Sequence, residues 1–211
     1  MAATNDTPTV LRRLIVLEGI DGAGTTTQAR LLARRIREAG RPVWLTSEPT
    51  DGPVGQLLRS VLAGSTSVSP VTAAYLFAAD RAEHVMGDDG IVSHHDAGQI
   101  VVCDRYVYSS YAYQSVDVSE ELVLALNSAF PLPGLFVFVD LPVNVTARRL
   151  ERRHAREIYE TREFQESVRN NYLRIVEVAS QATSVTVVDG NESPDQISEK
   201  IWESVRDASI V

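Results

Sequence analysis

Five short apolar runs punctuate the chain, at Leu14–Glu18, Val43–Thr46, Ile100–Asp104, Leu135–Asp140 and Val185–Val188. None of them alternates apolar with polar positions. Continuous Val, Ile, Leu and Phe over such lengths predicts strands covered on both faces, the habit of a parallel sheet. Between these runs the hydrophobic period becomes helical. Across Thr26–Ala39, residues Ala29, Leu32, Ala33 and Ile36 share one face, and Gly40-Arg41-Pro42 follows as a stop signal. Further helices are predicted from Pro70 to about Met86, over Ser119–Ala129, over Val143–Arg153 behind Pro142, over Glu160–Gln181 and over Pro194–Arg206. The stretch Gly87–Gly98 reads as an irregular loop. Strand and helix alternating in this way imply right-handed crossovers, and so an α/β fold: a three-layer sandwich around a parallel five-stranded sheet.

Length and composition add bounds rather than detail. The 211 residues suit one domain, expected over 10–211, behind a polar tail at Met1–Thr9 expected to be disordered. That tail lacks the basic and apolar regions of a signal peptide. The longest apolar stretch, Leu135–Leu141, is broken by Asp140 and is too short to cross a bilayer. A net charge of −8 argues against a nucleic-acid groove, because an acidic surface repels a polyphosphate backbone. The lone Cys103 lies in an apolar run and reads as a buried structural thiol, with the cytoplasm as the default location. Lys200 is the only lysine, beside nineteen arginines. The four histidines form no metal or catalytic set: His94 and His95 read as solvated loop residues, His84 and His154 as polar helix or lid residues.

The chemistry starts at the end of the first apolar run. Gly19-Ile20-Asp21-Gly22-Ala23-Gly24-Thr25-Thr26 matches the phosphate-binding pattern G-x-x-x-x-G-K-[ST] at every fixed position but one, with Thr25 where lysine belongs. The glycines let successive N–H groups face a polyphosphate, and the helix that follows adds its positive end. Thr26 holds the hydroxyl position that ligates Mg²⁺. A tight turn without a ligand is the plain alternative for such a loop. Two further strand ends carry unusual polar groups, Ser47-Glu48-Pro49-Thr50 and Asp104-Arg105-Tyr106. Arg105 alone could equally be a structural ion pair with Asp104. Ligands of open α/β sheets gather at such carboxyl ends.

Taken together these segments resemble the thymidylate kinase family. The resemblance is carried by the loop Glu18–Gln28, by Leu76-Phe77-Ala78-Ala79-Asp80-Arg81-Ala82-Glu83-His84, by Asp104-Arg105-Tyr106-x-x-Ser109-x-x-Ala112-Tyr113-Gln114, and by Val139-Asp140-Leu141-Pro142 with Arg148 and Arg149 behind it. It runs from about Leu14 to the last helix and implies a P-loop NTPase fold with a short mobile lid at about 149–160. It implies phosphoryl transfer from ATP, with Mg²⁺, to dTMP in a homodimeric enzyme. Gly19 to Thr27 would cradle the donor phosphates, with Asp21 and Thr26 at the metal and Arg149 along the adenine. Phe77 would stack on thymine and Arg81 hydrogen-bond its carbonyl edge, with Ser110 and Gln114 as further base contacts. Asp21 would accept the sugar 3′-hydroxyl, Arg105 clamp the acceptor phosphate, and Tyr113 fill the space of a 2′-hydroxyl. Glu48 belongs to the acceptor-side loop, where the family usually has arginine in place of Ser47. Arg152, Arg153 and Arg156 would close over ATP and replace the missing lysine. Two other readings stay open: a nucleotide-binding protein without kinase activity, and a kinase for another deoxynucleotide.

Overall fold

The computed structural model describes residues 9–151 and 161–211. Its centre is one parallel sheet of β1 (Val10–Glu18), β2 (Val43–Ser47), β3 (Ile100–Asp104), β4 (Leu132–Asp140) and β5 (Ser184–Asp189), in the order β2-β3-β1-β4-β5. All four ladders are parallel. Leu14 to Leu17, Ile100 to Cys103 and Phe136, Val137 and Val139 are wholly buried. Burial that does not alternate along a strand means that both faces are covered, as the unbroken apolar runs required.

The covering helices are α1 (Thr25–Glu38), α2 (Pro53–Leu62), α3 (Pro70–Met86), α4 (Ile91–Asp96), α5 (Val107–Tyr113), α6 (Glu120–Asn127), α7 (Val143–Glu151), α8 (Arg162–Ala179) and α9 (Pro194–Asp207). Helix α1 buries Ala29, Leu32, Ala33 and Ile36 against β1, β2 and β3, and also touches α9. Helix α8 packs on β4 and β5 and against α5. Ser193 and Gln196 form a reciprocal capping box at the start of α9, behind Pro194.

The structure departs from the sequence pattern in four places, one of them α5, which no apolar period announced. Strands β1 and β4 begin earlier than their apolar runs, because Val10 and Leu11 pair with Leu132 and Pro133 across a break in register. Gly87–Gly98 is not an irregular loop throughout: it contains α4, whose one fully buried residue is Ile91. A single apolar anchor over six residues is too little periodicity to detect. Helix α2 was also hidden behind the Gly52-Pro53 start. Thr9 is the one described residue of the expected tail, and its carbonyl accepts from Leu132 N. The remainder of that tail, and the lid arginines Arg152, Arg153 and Arg156, lie outside the described residues.

Candidate active site

Register places the polar strand ends along one edge of the sheet. Ser47 stands beside Asp104, Asp104 beside Leu17, and Asp140 beside Asp189. A cleft of about 1040 Å³ opens over the β2-β3-β1 side of that edge. It brings together Asp21, Thr26, Glu48, Phe77, Arg81, Arg105, Tyr113 and Gln114, which lie on four separate stretches of the sequence.

One wall is the turn between β1 and α1. A Cβ on Gly19 would sit 2.9 Å from the Val139 carbonyl oxygen and 2.9 Å from the Ala23 Cβ, so only glycine fits there. Gly22 and Gly24 adopt φ of 84° and 103°, a region that side chains disfavour. Gly24 is the N-cap and offers no side chain to the helix, whose first internal bond is Gln28 N to Gly24 O. The N–H groups of Thr25, Thr26 and Thr27 therefore have no acceptor within the helix, the arrangement that receives an anion. Thr25 is buried, its methyl packed beside Gly19, and contributes no charge. Arg149, from α7, reaches over this turn: its guanidinium donates to the Gly190 carbonyl at 3.0 Å and lies 3.5 Å from the carbonyls of Gly22 and Ala23.

The floor is ionic. Thr26 Oγ1 donates to Asp104 Oδ2 at 2.5 Å, while the buried Asp104 Oδ1 has no partner among the described residues. An anionic oxygen left without a partner suits a hard cation such as Mg²⁺. Asp104, rather than Asp21, is the carboxylate that stands beside Thr26. Among the described residues no three His, Cys, Asp or Glu side chains converge to hold a metal, so such a cation has to complete its shell with water and phosphate oxygens. Asp21 is held elsewhere: Oδ1 accepts from Arg105 at 2.6 Å and Oδ2 from Gln165 at 2.8 Å. Arg105 thus pairs with Asp21 and not with its neighbour Asp104.

Arg105 is non-glycine at φ 70°, a conformation that costs on the order of 1 kcal/mol and must be enforced by its surroundings. The enforcing group is Glu18. Its Oε1 accepts from Tyr106 N at 2.8 Å and Ser109 N at 3.1 Å, and its Oε2 from Ser109 Oγ at 2.6 Å and Tyr172 OH at 2.7 Å. Arg105 N donates to the Leu17 carbonyl, closing the turn against β1. Burial pushes the Glu18 carboxyl up to about 7, against the opposing pull of the Ser109 hydroxyl, the Arg105 charge, Tyr172 and the Tyr106 amide.

The far end of the cleft is a buried polar network. All five N–H groups of Arg81 meet protein acceptors: Glu48 twice (2.9 and 2.7 Å), Ser110 Oγ (3.0 Å), the Tyr106 carbonyl (3.1 Å) and Asn127 Oδ1. A base carbonyl would have to displace one of these to bond Arg81. Glu48 also meets His84 at 3.0 Å, and His84 meets Thr46 at 2.7 Å. His84 is thus a buried network member on α3, a polar helix residue as expected, whereas His94 is stacked on Trp44 at 3.9 Å and is not the solvated loop residue that the sequence suggested. Gln114 is buried and lines the cleft with its Oε1 unpartnered among the described residues. Ser110 lies beneath, bound to Arg81. Cys103 is fully buried, as expected.

The family model for thymidylate kinase matches residues 17–201. A Treponema pallidum (strain Nichols) protein named as a thymidylate kinase is 39% identical over 202 residues, covering 94% of this chain and 97% of its own. Its counterpart in Pyrococcus abyssi is 42% identical, covering 89% of this chain and 92% of its own, and that of Thermococcus kodakarensis 41%, covering 85% and 91%. The chain belongs to the thymidylate kinase family.

Membership makes this chain a nucleoside monophosphate kinase of the P-loop fold, and it gives the unassigned strand-end groups a context. Glu18 and Asp104 stood out in the sequence as polar strand ends, but neither was placed in the site of the kinase. Gln165 had no sequence signal at all, since it reaches Asp21 across 144 positions.

The raised carboxyl of Glu18 has a pH consequence. An unfolded Glu18 titrates near 4.5, so between that value and about 7 the folded protein binds the extra proton, and stability falls as pH rises through that window. Glu18→Gln is compatible with the site: its amide oxygen can serve the two backbone N–H groups, and its NH₂ can donate to the two hydroxyls. Urea unfolding at pH 5 and pH 8 is expected to show the variant gaining relative to wild type as pH rises, by up to roughly 3 kcal/mol across the window. A difference that is constant with pH contradicts the assignment.

Proposed function

We propose that this protein transfers the γ-phosphoryl group of ATP to dTMP, giving ADP and dTDP. The observation that carries the reading is the cleft itself, in which an anion-binding turn faces an acceptor site holding Phe77, Arg105, Tyr113 and Gln114. In the in-line step an oxygen of the dTMP phosphate forms a bond to the γ-phosphorus as the bond to the ADP oxygen breaks. Such transfer needs positioning and charge neutralisation more than covalent help from the protein. The N–H groups at the start of α1 hold the donor phosphates without a lysine. Arg105 meets the acceptor phosphate from its strained position beside Asp21. Thr26 and Asp104 would hold the Mg²⁺ that neutralises phosphate charge. Arg152, Arg153 and Arg156 would supply further positive charge to the donor phosphates, and Arg149 flanks the adenine between the turn and Gly190.

Base selection rests on Phe77 for stacking and on the open Gln114 Oε1, an acceptor suited to the N3–H of thymine. Arg81 shapes the pocket floor by fixing Glu48 and Ser110, and a direct bond to the base needs exchange with one of its present partners. Tyr113, whose ring lies 5.2 Å from the Arg105 guanidinium carbon, excludes a 2′-hydroxyl. No described helix is long and apolar enough to cross a membrane, and we assign the enzyme to the cytoplasm.

A coupled assay tests this. With ATP, dTMP is expected to be the preferred acceptor over dCMP and over ribothymidine monophosphate, and Tyr113→Ala to relax the sugar preference. In the same assay Arg153→Ala should lower kcat and kcat/KM together, the pattern of a contact made in the transition state. Equal use of both sugars by wild type contradicts the acceptor assignment. Binding of both nucleotides without turnover would favour the non-catalytic reading.

A homodimer accounts for the exposed apolar stripe on α3, where Val71, Tyr75 and Met86 are 43%, 52% and 59% exposed; Leu57, on the α2 helix that packs against α3, is 42% exposed. Residues at these spacings share a helix face. Light scattering should report a dimer that Tyr75→Glu weakens; a monomer for wild type contradicts it.

A further inference from the structure

The cleft is acidic: seven carboxylates line it against four arginines. The phosphate of a nucleoside monophosphate carries about two negative charges near neutral pH. Three of the four arginines already carry a protein carboxylate, which leaves each fewer free donors for that phosphate. Arg59 is bound to Asp51 and to the Pro49 carbonyl, Arg81 to Glu48, and Arg105 to Asp21. The fourth, Arg30, has no ion pair or hydrogen bond among the described residues, although it lines the same cleft.

Arg30 stands on α1 one turn after Thr26. Residues four apart share a helix face, and long side chains lean back toward the helix N-terminus. Its guanidinium is therefore directed along the face where Thr26 meets Asp104, toward the space that Ser47 and Arg105 also line. Ser47 brings no charge to that space, and Thr25 is buried and neutral. By contrast Arg34 and Arg35 on the same helix are engaged outside the cleft, with Glu38 and Glu199.

We propose that Arg30 is a substrate-binding residue that contacts the phosphate of the nucleotide acceptor, sharing that anion with Arg105. Its planar fork offers two parallel N–H donors to two phosphate oxygens, which a solvated surface arginine would not be called on to do. This rests on dTMP being the acceptor.

The test compares wild type, Arg30→Ala and Arg30→Lys by the KM for dTMP, the KM for ATP, and the inhibition constant of thymidine, which has the base and sugar but no phosphate. Arg30 is exposed, so neither change disturbs the core, and an unaltered urea midpoint is the control. Arg30→Ala is expected to raise the dTMP KM by about tenfold or more, the scale of a lost charge-assisted contact, while the other two constants stay within about twofold. Arg30→Lys should fall between, keeping charge but losing the fork. A dTMP KM within about twofold of wild type, an equal rise in the thymidine constant, or a rise confined to ATP each overturns the proposal. A wild-type protein that turns over ATP and not dTMP overturns both this and the acceptor assignment, whereas normal dTMP turnover with an indifferent Arg30→Ala overturns this alone.

Discussion

The buried carboxylate of Glu18 ties three distant parts of the chain together. From the end of β1 it accepts four hydrogen bonds, two from backbone amides of the segment after β3 and two from hydroxyls, one of them on α8. Placing a carboxylate out of water is costly unless donors surround it, and here they do. The benefit is positional. The turn that Glu18 holds keeps Arg105 in a left-handed conformation and aims its guanidinium at Asp21, and Gln165 fixes the other oxygen of Asp21 from α8. Helix α8 is thereby joined to the phosphate site at two points, through Tyr172 and through Gln165. Loss of either link would loosen Arg105, the arginine proposed to meet the acceptor phosphate.

The donor side rests on backbone rather than on side chains. Gly19 is glycine because β4 leaves no room for a Cβ, and Gly22 and Gly24 because the turn requires positive φ. These constraints are independent of position 25. A lysine there would add a mobile charge, but the N–H groups at the start of α1 are presented by the fold whichever residue follows Gly24. Thr25 turns inward and fills space beside Gly19. On the proposed reading, positive charge for transfer comes from arginines beyond position 25: Arg105 after β3, Arg149 on α7 and Arg30 farther along α1.

Much of this was legible in the sequence because its causes are local. Unbroken Val, Ile, Leu and Phe mark strands covered twice, Gly-x-x-x-x-Gly marks the turn, and Asp104-Arg105-Tyr106 marks a strand end with more polarity than packing needs. Pro194 marks the start of α9 in the same way. What stayed hidden depends on distance. Neither the Arg81 network nor the pairing of Arg105 with Asp21 instead of Asp104 follows from spacing, since each is decided by strand order and register. Helix α4, with a single buried anchor at Ile91, offered too little period to detect. His94 reads as solvent-facing, and His84 only as a polar helix residue, because nothing in their neighbourhood reveals Trp44 or Glu48 across the fold.

The claim on which the account turns is that the backbone at the start of α1 holds nucleotide phosphates without a lysine. Titration calorimetry of MgADP into the wild-type protein tests it most directly. Saturable binding with a Kd below about 1 mM, worth some 4 kcal/mol, is the expected result. Heats that do not saturate at millimolar nucleotide would contradict it.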